Sequence, residues 1–124
     1  MKITLAECVR AYQAVMEMMV KDGCDFAFAH ALVMARRELE PHMTFYGEKE
    51  EALIDKYAKR DEKGEIIRDG NRIQVENMPA FEKERAELNG VEVEISPRKV
   101  KKAPASLKPS VLEGLMLILE FPEE

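Results

Sequence analysis

The chain has 124 residues, of which 46% are hydrophobic and 35% are charged, and it carries a net charge of −5. This length and apolar content are typical of one folded domain over residues 1–124 and exclude wholesale disorder. The negative charge disfavours nucleic acid and anionic membrane surfaces as partners, because both present phosphate groups.

The two cysteines, Cys8 and Cys24, do not form a C-x-x-C pair, and no basic segment followed by a long apolar stretch opens the chain. The sequence therefore predicts a cytoplasmic protein in a reducing compartment, with a single disulfide expected only if the protein were exported. The longest apolar run, residues 115–119, is too short to cross a bilayer, so no membrane association is expected.

Two helices are predicted in a helical body over residues 4–60. Thr4 and Glu7 have the spacing of a capping box, and the apolar residues that follow recur every three or four positions. After a short turn, Asp25 can cap a second helix that runs antiparallel to the first. Pro41 removes one backbone donor from this second helix, so we expect a long helix with a kink.

The middle of the chain predicts short strands and one further helix. Residues 69–71 read Asp-Gly-Asn, which is typical of a hairpin turn within a β-hairpin over residues 65–75. A cap followed by proline predicts a helix over residues 79–88. Alternating valines and glutamates predict a strand over residues 91–95, which could extend the hairpin into a small antiparallel sheet.

A basic, proline-containing connector over residues 96–109 leads to a predicted C-terminal helix over residues 109–121 that is apolar on most sides. So wide an apolar surface must be covered by the rest of the chain, which we favour, or by a second chain in a homodimer. The predicted fold class is helix-dominated α+β. It combines an N-terminal helical hairpin with a long kinked second helix, a small antiparallel β-hairpin or sheet, and an apolar C-terminal helix.

The residue types that carry chemistry do not occur in a recognisable arrangement. His30 and His42 are twelve positions apart and match no zinc-binding spacing, and neither cysteine has a histidine nearby in sequence. No nucleophile elbow or phosphate-binding glycine loop is present. We therefore expect no catalytic residue, no metal site and no cofactor, although a spatial pairing of Cys24 with a histidine stays open.

Two charged segments are candidate contact surfaces. The hairpin presents three polar side chains: Arg68, Arg72 and Gln74. The connector presents four basic ones: Arg98, Lys99, Lys101 and Lys102. The basic segment could contact an acidic protein surface or nucleic acid, but no aromatic stacking partners flank it, so a solvated linker is the simpler interpretation.

Four sequence blocks follow one another in a distinctive order: LI-x-KY at residues 53–57, DE-x-G at 61–64, FEKE at 81–84 and VEVEI at 91–95. Together with the leucine-rich C-terminal segment, these blocks resemble a family of small uncharacterised phage and prophage proteins. Pro41 departs from the unbroken long helix of that pattern. The resemblance implies a viral or prophage gene, and it brings no established catalytic residues.

A short phage protein without catalytic residues is expected to act by contact with another macromolecule. Our main hypothesis is a non-enzymatic accessory protein in the host bacterial cytoplasm that inhibits a host factor, such as an anti-phage defence nuclease. This anti-CRISPR-like role would use the hairpin and its neighbouring charges. One alternative is a phage assembly or virion-associated protein that self-associates through its C-terminal helix. Another is an oligomeric sponge that binds nucleotides with the basic segment.

Overall fold

The computed structural model describes residues 1–20, 25–70, 72–104 and 107–122. These residues form four helices and six short strands, which confirms the predicted helix-dominated α+β class. The elements in chain order are β1 (Lys2–Thr4), α1 (Leu5–Met19), α2 (Phe26–Tyr57), β2 (Arg68–Asp69), β3 (Arg72–Ile73), α3 (Met78–Asn89), β4 (Glu92–Glu94), β5 (Arg98–Lys99), α4 (Pro109–Leu115) and β6 (Leu119–Glu120). No helix among them is both long enough and apolar enough to cross a membrane.

The two N-terminal helices begin at the predicted caps. The Glu7 amide donates to Thr4 Oγ1 at 3.1 Å, and the Thr4 amide donates to Glu7 Oε1 at 2.9 Å, so the capping box is complete. At the start of α2, the Phe28 amide donates to Asp25 Oδ1 at 2.8 Å. The second helix continues through Pro41 as one element of 32 residues.

The hydrophobic core lies at one end of the molecule, between α1, the first half of α2, α4 and the strands that flank them. The largest fully buried side chains in this cluster belong to Met18, Leu39, Ile95, Leu115 and Ile118. We call residues 42–91 the arm and the other described residues the core end. Among the described residues of the arm, only Ala58 and Leu88 are buried.

Helices α1 and α4 approach each other closely where small residues meet. A Cβ atom added at Gly114 would lie 2.6 Å from the Ala14 Cβ atom and 3.0 Å from the Arg10 carbonyl oxygen. Such distances leave no room for even a methyl group. Gly114 therefore sets the distance at which α4 packs against α1.

The predicted C-terminal helix over residues 109–121 is too long, because α4 ends at Leu115. The chain then turns, and its last strand pairs in parallel with β5, the Arg98 amide donating to the Ile118 carbonyl at 3.0 Å. The connector predicted over residues 96–109 therefore contains a strand. Backbone hydrogen bonds to this strand, together with burial of the apolar side chains, replace the last turns of the expected helix.

The strand predicted over residues 91–95 does not extend the hairpin. It pairs antiparallel with β1, placing Ile3 opposite Val93. Ile3 is buried there, and Val93 packs against the same core. The pairing joins the start of the chain to the segment that follows α3, and it returns the chain from the arm to the core end.

The hairpin is present, with strands shorter than predicted. Strands β2 and β3 pair antiparallel around Gly70, whose φ of +65° suits a residue without a Cβ atom. The chain leaving α2 also joins the ribbon, because the Lys59 amide donates to Gln74 and the Ile67 amide donates to Lys59. The hairpin is thereby attached directly to the end of α2. The predicted hairpin-turn residue Asn71 lies outside the described residues, and so do residues 21–24 of the predicted short turn, which include Cys24.

Candidate protein-interaction surface

The candidate contact residues lie in two different parts of the fold. Arg68, Arg72 and Gln74 are exposed on the arm. The basic segment lies at the core end, where Lys99, Lys101 and Lys102 are exposed and Arg98 is half-buried in β5. No ion pair or hydrogen bond links the two sets within the described parts of the chain.

Arg98 fits the prediction of a contact residue poorly. Arg98 lies in β5, and this strand is hydrogen-bonded to β6 within the fold. The Nε atom is buried and has no hydrogen-bond partner among the described residues. The sequence suggested a solvated linker here, but successive side chains of a strand point to opposite faces, so Arg98 is half-buried while Lys99 stays exposed.

A groove of about 370 Å³ lies between the hairpin, α2 and α3, and we call it the hairpin groove. Its apolar lining residues are Ile54, Ile73, Val75, Met78 and Phe81. Charged side chains form the rest of the lining: Arg72, Glu82 and Arg85. Met78 is 47% exposed, so apolar surface is accessible beside two arginines.

A second groove, of about 330 Å³, lies on a different face of the same two helices, and we call it the α2–α3 groove. Its apolar lining residues are Phe45, Ala52, Leu53, Leu88 and Val91. Its charged lining residues are Lys49 and Lys56 from α2 and Glu84 and Glu87 from α3. Phe45 and Val91 are 42% and 41% exposed, respectively.

Polar and aromatic contacts hold α3 against α2. Lys56 Nζ lies 3.0 Å from Glu84 Oε1, and the Tyr57 ring meets the Phe81 ring edge-on with centroids 5.9 Å apart. At the other end of α3, the Tyr46 hydroxyl donates to Asn89 Oδ1 at 2.7 Å. These contacts fix the walls of both grooves, although little apolar surface is buried between the helices.

The cluster around Glu84 favours the charged forms of its salt bridge. The Tyr57 hydroxyl and the Lys56 ammonium beside Glu84 hold the pKa of its carboxyl below the ordinary value. The same carboxylate raises the pKa values of Lys56 and Tyr57. All three shifts move the pKa values further from neutrality, so Lys56 and Glu84 stay charged, Tyr57 stays neutral, and the salt bridge ties the two helices together.

Among the described titratable groups outside the arm, Cys8 has a shifted pKa. Cys8 is fully buried, and burial, followed by the negative charge of Glu7, raises the pKa of its thiol to about 11. A thiol with so high a pKa is a poor nucleophile, because the thiolate is the reactive form. Within the described ranges, no three His, Cys, Asp or Glu side chains lie close enough to hold a metal ion.

The sequence pattern missed the exposed apolar residues of the arm. Periodic spacing predicts the apolar stripe on which a helix packs, but it does not show how much of that stripe the neighbouring elements will cover. The available signal was the composition of α3, which offers Phe81 and Leu88 as its large apolar residues on that stripe. So short a stripe cannot cover the long second half of α2.

No protein-family model, no curated protein and no solved structure matches this chain. The resemblance to small phage and prophage proteins stays a prediction.

Proposed function

We propose that this protein is a non-enzymatic binding protein that contacts another protein through the hairpin groove. The observation that carries the proposal is the combination of exposed Met78 with Arg72 and Arg85 around one concave apolar surface. Apolar pockets bordered by arginines are typical contact sites, since the pocket takes an apolar anchor and a guanidinium can bind a carboxylate. The matching segment of the partner would carry an apolar side chain beside an acidic one.

Arg72 is the hairpin residue best placed for this contact. Arg72 is exposed and forms no ion pair within the described residues. Its guanidinium can therefore bind a carboxylate of the partner without first breaking an ion pair within the chain. Among the described residues, the one ion pair of Arg85 joins its Nη2 atom to Glu50 Oε2 at 3.8 Å. A weak contact of this kind between exposed groups is readily exchanged for a shorter one.

We further propose that the protein is a phage or prophage accessory protein in the cytoplasm of a host bacterium, and that its partner is a host factor such as an anti-phage defence nuclease. The support is the resemblance described above. Three of its blocks, at residues 53–57, 61–64 and 81–84, lie in the arm. The sequence pattern and the proposed contact surface therefore coincide in one region.

The two alternative functions have less support. Self-association through the C-terminal helix needs an uncovered apolar face, but Val111, Leu115, Ile118 and Leu119 are buried within the chain. We therefore do not propose an assembly role or a homodimer through this helix. The basic segment contributes to neither groove, so a nucleotide sponge built on it lacks a described binding cavity.

A plaquing assay tests the proposal. The protein is expressed in bacteria that carry one defence nuclease, taken in turn from a panel, and the plating efficiency of a restricted phage is measured. We expect the wild type to raise plating against at least one nuclease. Arg72→Glu and Met78→Asp should abolish this effect, because they place acidic groups in the hairpin groove.

The matched control is Lys101→Glu combined with Lys102→Glu, which reverses exposed charges at the core end and should leave inhibition unchanged. Far-UV circular dichroism and thermal denaturation verify that every variant is folded. If the wild type relieves restriction by no nuclease of the panel, the inhibitory role is wrong. If the control abolishes inhibition and Arg72→Glu does not, the hairpin groove is not the contact site.

A further inference from the structure

The α2–α3 groove is a stripe contributed by two helices. Its α2 residues are 45, 49, 52, 53 and 56, and its α3 residues are 84, 87 and 88, with Val91 just beyond the helix. These spacings of three, four and seven place each set on one helix face. The groove therefore has the form of an unfilled seam between two helices, open along about three turns.

The contacts between the helices show that they run antiparallel and show which residues lie level with each other. Tyr57 lies against Phe81, and Lys56 against Glu84, at one end of the pair. Tyr46 lies against Asn89 at the other end. It follows that Lys49, one turn along α2 from Tyr46, is level with Glu87.

The two walls of the groove carry opposite charges. The α2 wall presents Lys49 and Lys56, and the α3 wall presents Glu84 and Glu87. Lys49 lies over the Phe45 ring, with its Nζ atom 5.6 Å from the ring centroid. Lys49 and Glu87 belong to no ion pair in the described part of the chain. One charge on each wall is therefore available to a molecule that docks in the groove.

We propose that the α2–α3 groove is the site at which two copies of this chain associate. The copies pack face to face around a two-fold axis parallel to the helices, so that α2 of each copy lies against α3 of the other. This rotation preserves the height of every residue along the axis. Lys49 then faces Glu87 of the second copy, Lys56 faces Glu84, and the apolar floors meet between them.

The charge pattern selects this arrangement over the other face-to-face dimer. With a two-fold axis perpendicular to the helices, α2 would lie against α2 and α3 against α3. Lysines would then face lysines and glutamates would face glutamates, which disfavours association. Because both walls of one copy complement both walls of another, the groove satisfies the self-complementarity that an isologous interface requires.

The size of the groove predicts a weak dimer. Three turns of helix extend roughly 16 Å, and two helices side by side are about 20 Å wide. Such a footprint is smaller than the roughly 800 Å² per partner of a standard stable interface. The net charge of −5 on each copy also opposes the encounter. We therefore expect association that depends on protein concentration, with a dissociation constant of roughly 10 μM or weaker.

Sedimentation velocity of the full chain at physiological ionic strength tests the proposal. We expect the wild type to shift from monomer to dimer as its concentration rises. Lys49→Glu and Glu87→Lys should each weaken self-association by about tenfold or more, because each places like charges opposite each other. An equimolar mixture of the two variants should associate again, since both charge pairs are restored in the mixed dimer.

The double variant, with Lys49→Glu and Glu87→Lys in one chain, should self-associate like the wild type. Arg72→Glu, in the hairpin groove, should also dimerise normally, which separates this proposal from the proposed function. The proposal is wrong if the wild type stays monomeric up to roughly 1 mM, where even a weak interface is populated. It is equally wrong if the single variants dimerise normally or if their mixture stays monomeric.

Discussion

Helix α2 passes through both regions of the molecule and has a different environment in each. Its five buried residues all lie between Phe28 and Leu39, and none lies between His42 and Tyr57. In the core end the helix packs against α1, whereas in the arm it is covered on one side by the short, charged α3. The same element is therefore part of the core over one half and lines two solvent-open grooves over the other.

The difference shows that this fold concentrates its buried apolar side chains in one region and leaves apolar surface exposed in the other. The core end buries large aliphatic side chains, which supply most of the free energy of folding. The arm depends on a few polar ties and one pair of aromatic rings, and it leaves two apolar grooves open to solvent. Substitutions in both regions and a change of pH at Cys8 test this division.

Leu39→Ala should reduce the free energy of unfolding by about 3 kcal/mol, because it removes a fully buried side chain and leaves a cavity in the core. The matched change in the arm is Leu53→Ala, which truncates a half-buried leucine of the same helix. We expect it to cost about 1 kcal/mol or less. Urea denaturation followed by circular dichroism measures both. If both variants lost the same free energy of unfolding, Leu53 in the arm would be as much a part of the hydrophobic core as Leu39.

Gly114→Ala and Gly47→Ala should have opposite effects. At Gly114, a methyl group would collide with Ala14 and with the Arg10 carbonyl, so we expect a loss of about 2 kcal/mol. Gly47 lies inside α2 in the arm, and a Cβ atom there would meet nothing within 4 Å. Alanine should therefore stabilise the helix by about 0.5–1 kcal/mol. Thermal denaturation distinguishes the two, and destabilisation by Gly47→Ala would contradict an open helix face.

Raising the pH should remove the stability that protonated Cys8 contributes to the core. Its pKa is about 11 in the folded protein against 9.0 ordinarily, so the folded state holds the proton more tightly than the unfolded state. The contribution is complete below pH 9 and falls by about 2–3 kcal/mol as the pH rises through 11. Urea denaturation of the wild type and of Cys8→Ala measures it. The difference between their unfolding free energies should shift against the wild type at high pH, and a constant difference would refute this account.

Tyr46→Phe should give the smallest effect, about 1 kcal/mol, because it removes the hydrogen bond to Asn89 that ties α3 to α2. Amide hydrogen exchange should accelerate in α3 while the core end stays protected. Tyr12→Phe is the control, since Tyr12 packs against the core and its hydroxyl has no hydrogen bond among the described residues. Acceleration throughout the chain would mean that the arm and the core end unfold together.

Part of the candidate site could be predicted from the sequence. Arg72 was expected to be exposed because the hairpin turn fixes which residues flank it, and it does line the hairpin groove. Met78 and Val91 were not expected to be part of any contact surface. Their exposure depends on how far α3 covers α2, and that follows from the packing of two segments distant in sequence.

The sequence by itself determined the local features of this protein. Thr4 and Asp25 mark helix starts because the side-chain oxygen of each accepts a hydrogen bond from the backbone amide three residues later. That amide would otherwise have no partner in the first turn of the helix. Gly70 marks the hairpin because its backbone conformation is costly for other residues.

Only the tertiary structure decided that β1 pairs with β4 and that the end of the chain forms a strand against β5. Every residue except proline offers the same backbone amide and carbonyl, so the side chains that predict a strand do not show which distant segment it will pair with. The burial of each apolar stripe was decided in the same way. A stripe is buried where the fold packs another element against it, and it remains part of a groove where no element covers it.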